Sequence, residues 1–206
     1  MTASDLRFDA ATHTYTTPDG TVVPSVTQIL RAVSLITDYE ALGLADVAAR
    51  KAILGTAVHK ATAQADMGEL VSVDDPNVAA YLEAWNEFLV SYGLRTVVRE
   101  RVVYHQHYGY CGTLDGVFCR ENGVRVLVDI KTGDLSPSTA WQLWGYTLAW
   151  CEKVAHPNID EQWAVHLRPK NSPPYRVLKY GAFDDKQTWL ACLRVHSAQQ
   201  KIKRVR

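Results

Sequence analysis

The sequence predicts an α/β domain with a central mixed β-sheet and helices on both faces. Three observations predict it. A chain of 206 residues is long enough to bury one sizeable core and short for two. Apolar residues make up 47% of it and charged residues 21%, the balance of a packed globular protein rather than a disordered one. The patterning runs from helical stretches to a block of strands, then a helix, two more strands and a closing helix, an order that suits a mixed sheet covered by helices.

At the N-terminus, Leu6-Arg7-Phe8, Thr14 to Thr17 and Val22-Val23 read as short strands around the Pro18-Asp19-Gly20 turn. Ser25 with Gln28 three places on, ahead of an apolar run, is a capping box, so a helix is expected from Val26 with Ile29, Leu30 and Val33 inward. Helical patterning resumes over Tyr39 to Asp66. It returns over Asn77 to Tyr92, where Tyr81, Trp85, Phe88 and Leu89 share a face and Gly93 ends it. From Thr96 to Tyr104 and from Tyr108 to Lys131, β-branched and aromatic residues predict strands of one sheet, turning at Glu121-Asn122-Gly123. Pro137 to Cys151 reads as a helix, Trp163 to Arg168 and Tyr175 to Tyr180 as strands around Pro173-Pro174, and Trp189 to Lys203 as the closing helix.

With 22 basic and 22 acidic side chains, bulk charge names no partner, and any nucleic-acid footprint must be a local basic patch. No apolar run approaches the ~18 residues of a membrane span and no secretory leader is recognisable, so no membrane association and a cytoplasmic location are expected. Cys111, Cys119, Cys151 and Cys192 contain no Cys-x-x-Cys pair and read as reduced, half-buried small hydrophobes.

The chemistry concentrates in Gly112-Thr113-Leu114-Asp115 and, beyond the turn, Asp129-Ile130-Lys131-Thr132-Gly133. A three-residue loop at Glu121 to Gly123 faces Arg120 with Val124, and counting back in register sets Asp115 opposite Asp129. Like charges at ~4.5–5.5 Å across a strand pair are unfavourable unless a cation bridges them, and a hard divalent metal supplies one. Alternation puts Lys131 on the side of Asp129, while Val124, Val126, Val128 and Ile130 form an apolar row on the other face. A lysine beside such a metal can orient the attacking water or neutralise charge developing on a phosphate.

These residues resemble the PD-(D/E)XK nucleases, in particular the RecB-like branch that includes phage exonucleases. Gly55-Thr56-Ala57-Val58-His59 is similar to that branch's Gly-x-x-x-His, Gly112 to Asp115 to its Gly-x-x-Asp, Asp129-Ile130-Lys131 to its Asp-x-Lys, and Gln142 with Tyr146 to its Gln-x-x-x-Tyr. The resemblance implies a restriction-endonuclease-like core and a single nuclease domain over residues 1–206, with an N-terminal hairpin and helices at 1–50, the catalytic core at 51–180 and a C-terminal helix at 181–206. It implies His59, Asp115, Asp129 and the backbone carbonyl of Ile130 as ligands of Mg2+ or Mn2+, with Lys131 as the catalytic lysine and the single imidazole tilting the choice toward manganese. Gln142 and Tyr146 are further catalytic candidates. Glu100, read as ending the strand before the hairpin, is another.

Relatives with an iron-sulfur cluster carry one cysteine before the nuclease core and three after it, whereas here all four follow residue 110, so no cluster is expected. The implied activity is a deoxyribonuclease, an exonuclease processing DNA ends in phage-type recombination, replication or repair, in a bacterial or phage-infected cell. It would act alone or with a separate recombination or single-strand-binding protein, its oligomeric state open. The alternatives are a structure- or site-specific endonuclease on the same fold and a non-catalytic nucleic-acid-binding subunit of a recombination complex. Gln142 and Tyr146 equally suit the wet edge of a helix, Trp141, Trp144 and Trp150 suit core packing as well as base stacking, and Lys201, Lys203, Arg204 and Arg206 read as a solvated tail.

Overall fold

The computed structural model of the chain describes residues 3–9, 12–36, 45–133, 135–152 and 158–205. It contains a three-stranded antiparallel sheet of β1 (Arg7–Asp9), β2 (Thr14–Thr16) and β3 (Val22–Val23). The helices are α1 (Val26–Ala32), α2 (Ala45–Asp66), α3 (Pro76–Tyr92), α4 (Ser138–Cys151) and α5 (Phe183–Val205). A five-stranded sheet runs β4 (Leu94–His105), β5 (Tyr110–Arg120), β6 (Arg125–Lys131), β7 (Glu161–Leu167) and β8 (Tyr175–Tyr180), in that spatial order. Only β6 and β7 are parallel, joined through α4, so the sheet is mixed as the sequence predicts.

Local chemistry explains the starts and stops. The Ser25 hydroxyl accepts from the Gln28 amide at 3.2 Å, and Gln28 Oε1 accepts from the Ser25 amide at 2.9 Å, completing the capping box of α1. Asp75 caps α3, accepting from the Asn77 amide at 2.8 Å, and Gly93 closes that helix in the left-handed conformation. The sequence start at Tyr39 falls partly on residues 37–44, outside the described residues, and α2 is described from Ala45. The closing helix begins at Phe183 rather than Trp189, because its first turn, with Asp184 and Asp185, is largely polar and carries no apolar periodicity.

Each face of the large sheet buries its own core. On one side Val26, Leu30, Leu127, Leu143, Trp150 and Trp189 pack α1, α4 and α5 against β4 to β6. On the other, Val126, Val128 and Ile130 pack beneath Val58, Trp85 and Phe88 of α2 and α3, the apolar row that the alternation predicts. Helices on both faces fix the register of β6, since a one-residue slip would turn Asp129 into the α2–α3 core. No helix among the described residues is long and apolar enough to cross a membrane.

Candidate metal centre

The β5–β6 hairpin turns as its sequence predicts. The Arg120 amide donates to Val124 O at 2.9 Å, and the pairs Cys119–Arg125, Phe118–Val126, Val117–Leu127 and Gly116–Val128 follow. One step further Asp115 meets Asp129 by count, and there the ladder changes character: the Ile130 amide donates to Asp115 Oδ2 at 2.6 Å instead of to a backbone carbonyl. Asp115 is thereby held at the edge of β6.

Directly across β4, the count that pairs Arg99 with Gly116 and Arg101 with Leu114 brings Glu100 opposite Asp115. Glu100 has φ +45, a left-handed conformation in a non-glycine residue inside a strand. Leu114 and Val117, three residues apart, pack in the same core cluster, so the alternation of β5 also flips beside Asp115. Glu100 therefore does not end a strand, as the sequence reading has it: β4 continues to His105, and Glu100 occupies a kink in the middle that turns its carboxylate toward α2.

His59 reaches this kink from α2. Its Nδ1 lies 3.3 Å from Asp115 Oδ1 and 3.8 Å from Glu100 Oε1, and its Nε2 is 3.2 Å from the Ile130 carbonyl oxygen. One ligand atom from each of His59, Glu100 and Asp115 lies within 4.8 Å of the others. Burial alone would push the imidazole's pKa down, but the Asp115 carboxylate, then that of Glu100, outweigh it and raise it to about 10. Burial likewise works against ionised Asp115, yet the facing imidazole and then Lys131 hold its carboxyl below the usual range.

Asp129 stands one step away, engaged with Lys131. Lys131 Nζ is 2.8 Å from Asp129 Oδ2 and donates to Gln142 Oε1 at 3.0 Å, and Gln142 Nε2 donates to the Tyr146 hydroxyl at 3.1 Å. The spacing of four in α4 lines up Gln142 and Tyr146 so that the amide grips the lysine from one side and the phenol from the other. Burial raises the carboxyl of Asp129, Lys131 opposes this and the charge of Asp115 adds to it, with a net shift upward. Burial lowers the Lys131 ammonium, but Asp129 and Asp115 more than compensate, so it stays charged.

Gly112 connects two of the motifs. A Cβ there would lie 2.7 Å from Tyr146 Cε1, so the phenol ring lies against the bare backbone of β5. Gly145 does the same for α4, where a Cβ would meet Trp189 and Val26 at 3.0 Å. The Gly-x-x-Asp and Gln-x-x-x-Tyr segments thus meet in space, although Tyr146 lies 34 positions after Gly112.

Sequence reasoning missed a buried layer beneath the cluster. Arg99 Nε pairs with Asp66 Oδ2 at 3.0 Å, with side chains 0% and 2% exposed. Arg99 Nη1 donates to the Asp115 carbonyl at 2.7 Å and Nη2 to Thr62 Oγ1 at 2.9 Å, while Thr62 donates to the His59 carbonyl at 3.0 Å. Trp85 Nε1 donates to Asp66 Oδ1 at 3.0 Å, and the guanidinium lies over the Trp85 ring at 5.2 Å. One guanidinium therefore touches the backbone of Asp115, adjoins Glu100 in sequence, and reaches the turn of α2 that carries His59. The only available signal was a lone arginine in a strand and an aspartate at a helix end, both usually solvated.

The remaining candidates divide. Trp150 is core, while Trp141 and Trp144 are partly buried on α4, and the Trp144 indole donates to Ala182 O at 3.2 Å. Cys111, Cys119, Cys151 and Cys192 are free thiols. Lys201 and Lys203 are exposed on α5; the Arg204 side chain and Arg206 lie outside the described residues. No protein-family model matches the chain, and no curated protein gives a significant match.

Proposed function

We propose that the chain is a divalent-metal-dependent deoxyribonuclease, an exonuclease acting at DNA ends. The observation that carries this reading is the convergence of His59, Glu100 and Asp115 from α2, β4 and β5 beside the Asp129–Lys131 pair of β6. The order of three antiparallel strands, a crossover helix and a parallel strand supports the restriction-endonuclease-like core that the motifs imply.

The donor set suits a hard cation. Carboxylate oxygens of Asp115 and Glu100, with one imidazole nitrogen, fit Mg2+ or Mn2+, and the nitrogen favours manganese. The proposed ligands are His59, Asp115 and Glu100, with the Ile130 carbonyl alongside; Asp129, in the ligand set implied by the motifs, would join by loosening its hold on Lys131. A bound ion would supply Lewis-acid polarisation of the phosphate and a counter-charge for in-line displacement. The chain's own residues do the rest. Lys131, held cationic between Asp129 and Gln142, is placed to neutralise developing phosphate charge rather than to accept a proton. Tyr146, whose hydroxyl burial pushes well above its usual pKa, stays a neutral phenol that fixes Gln142.

The test is digestion of end-labelled linear and covalently closed circular DNA, single and double stranded, with magnesium, manganese or chelator. Metal-dependent loss of linear DNA from its ends, with circles intact and with Asp115→Asn inactive, is expected. Cutting of circles would replace the exonuclease by an endonuclease on the same fold. Binding without turnover under either metal would replace the enzyme by a binding subunit.

A further inference from the structure

Beside the candidate centre lies a cleft of about 740 Å³, within the ~300–1,000 Å³ range of ligand sites. It opens at the carboxyl ends of the two parallel strands: Thr132 follows β6, and Arg168 to Asn171 follow β7. Ligands of open α/β sheets bind outside such strand ends. It adjoins the candidate centre through the chain rather than by shared side chains: Thr132 succeeds Lys131, Tyr81 Oη donates to the Thr132 carbonyl at 3.4 Å, and Leu54 lies on α2 little more than one turn before His59. Gly55 of α2 is in contact range there, its Cβ position 3.4 Å from Thr132 Oγ1.

The far wall is cationic. Lys170 is exposed and has no ion-pair partner among the described residues. The Arg168 guanidinium makes one hydrogen bond among them, from Nη2 to Tyr175 O at 3.2 Å; its Nε is buried, so the remaining Nη hydrogens are those a ligand could meet. The Asn171 amide donates to Arg168 O at 2.8 Å, closing a tight turn that carries Lys170. A carboxylate, Asp75, also lines the cleft; it is exposed and caps α3, its Oδ1 accepting from the amide and side chain of Asn77 at 2.8 and 3.1 Å. The rest of the lining is mainly apolar, with Leu54, Ala80, Tyr81, Leu167 and Pro169 beside Asn77 and His166.

An anion alone would leave this apolar lining unused, and an apolar ligand would leave the cations unused. A strand of nucleotides uses both, with phosphates on Arg168 and Lys170 and bases against Leu54 and Tyr81. Bases are available for such contacts only when unpaired, since a duplex buries their faces in its own stack. We propose that this cleft holds the single-stranded segment flanking the phosphodiester at the metal centre. The assignment rests on the nuclease reading and deepens it, naming unpaired DNA as what the centre receives.

The test uses the full chain in chelator, with binding of a labelled oligothymidylate and of a labelled blunt hairpin duplex followed by fluorescence anisotropy across a salt series. The variants are Lys170→Ala, Lys170→Glu and, as a distant control on α5, Lys201→Glu; metal-dependent digestion by wild type is measured in parallel. Tighter binding of the single strand is expected, with a salt slope shallower by about 0.7 in Lys170→Ala, the loss of one single-strand phosphate contact. Lys170→Glu should weaken single-strand binding further and Lys201→Glu should leave it unchanged. If wild type digests DNA but Lys170 variants bind like wild type, or Lys201→Glu weakens binding equally, the cleft assignment fails and the nuclease reading stands. Equal affinity for the duplex overturns the single-strand specificity. If wild type neither binds nor digests DNA, both readings fall together.

Discussion

At His59 the charge is set by its neighbours, and this fixes a pH dependence. Its pKa lies near 10 in the fold against an ordinary 6.5, because Asp115 and Glu100 outweigh the cost of burial. A group whose pKa rises on folding stabilises the fold fully below its unfolded value and loses that contribution as pH climbs through its folded value. In chelator, stability from this group is therefore expected to decline between pH 6.5 and about 10. Asp115→Asn, which removes the strongest attraction, should flatten the decline; urea unfolding of both proteins at several pH values checks it, and parallel curves would contradict it. Added Mn2+ needs the neutral imidazole, so its binding should release protons across the same window, readable by calorimetry in buffers of different ionisation enthalpy. Lys131 gives a second outcome at this scale. Replacing it by Met keeps the stem and removes the charge, and a loss of about 10²–10³ in kcat is expected, the scale of removing one preorganised donor. Unchanged kcat in steady-state assays would remove Lys131 from the chemistry.

The elements α2, β4 and β5 are tied beneath the centre by the Arg99–Asp66 pair, and its removal separates stability from activity. Arg99→Met leaves a buried carboxylate unpaired and is expected to cost about 3–5 kcal/mol in urea denaturation. Adding Asp66→Leu should restore most of that stability, since an apolar pair tolerates the same site. It should not restore cleavage, because the Asp115 carbonyl has still lost its guanidinium. Recovery of activity in the double variant would show that the pair is only a packing element. Gly112→Ala tests another tie, between β5 and α4: its methyl would collide with the Tyr146 ring, an overpacking of about 1–3 kcal/mol that also shifts Gln142 away from Lys131. These elements also show what could be read from sequence. The hairpin register was legible because a three-residue loop fixes the count and an apolar row on β6 permits one face inward. The reason for Gly112 was not, because it depends on a ring delivered from α4. The kink at Glu100 was hidden too, since no glycine or proline marks it, and Arg99 with Asp66 looked like ordinary surface charge.

Across the whole molecule, two cores on opposite faces hold the sheet, and the centre gathers near the carboxyl end of β6. Placing acidic side chains from β4, β5 and β6 close together there opposes folding, and the protein offsets it with His59 and Lys131. Glu100 adds backbone strain to this repulsion, a left-handed residue costing about 1–3 kcal/mol. A divalent ion binding only the folded arrangement should therefore stabilise the entire chain, by about 2.7 kcal/mol at a hundred times its dissociation constant. Thermal unfolding with increasing Mn2+ is expected to show a rising Tm in wild type and a flat one in His59→Ala and Asp115→Asn. Glu100→Gly separates strain from ligation: without metal its Tm should match or exceed that of wild type, because the left-handed conformation suits glycine, while its response to Mn2+ should weaken. An equal rise of Tm in all these proteins would mean that the ion stabilises them elsewhere, and that the three elements do not meet to hold it.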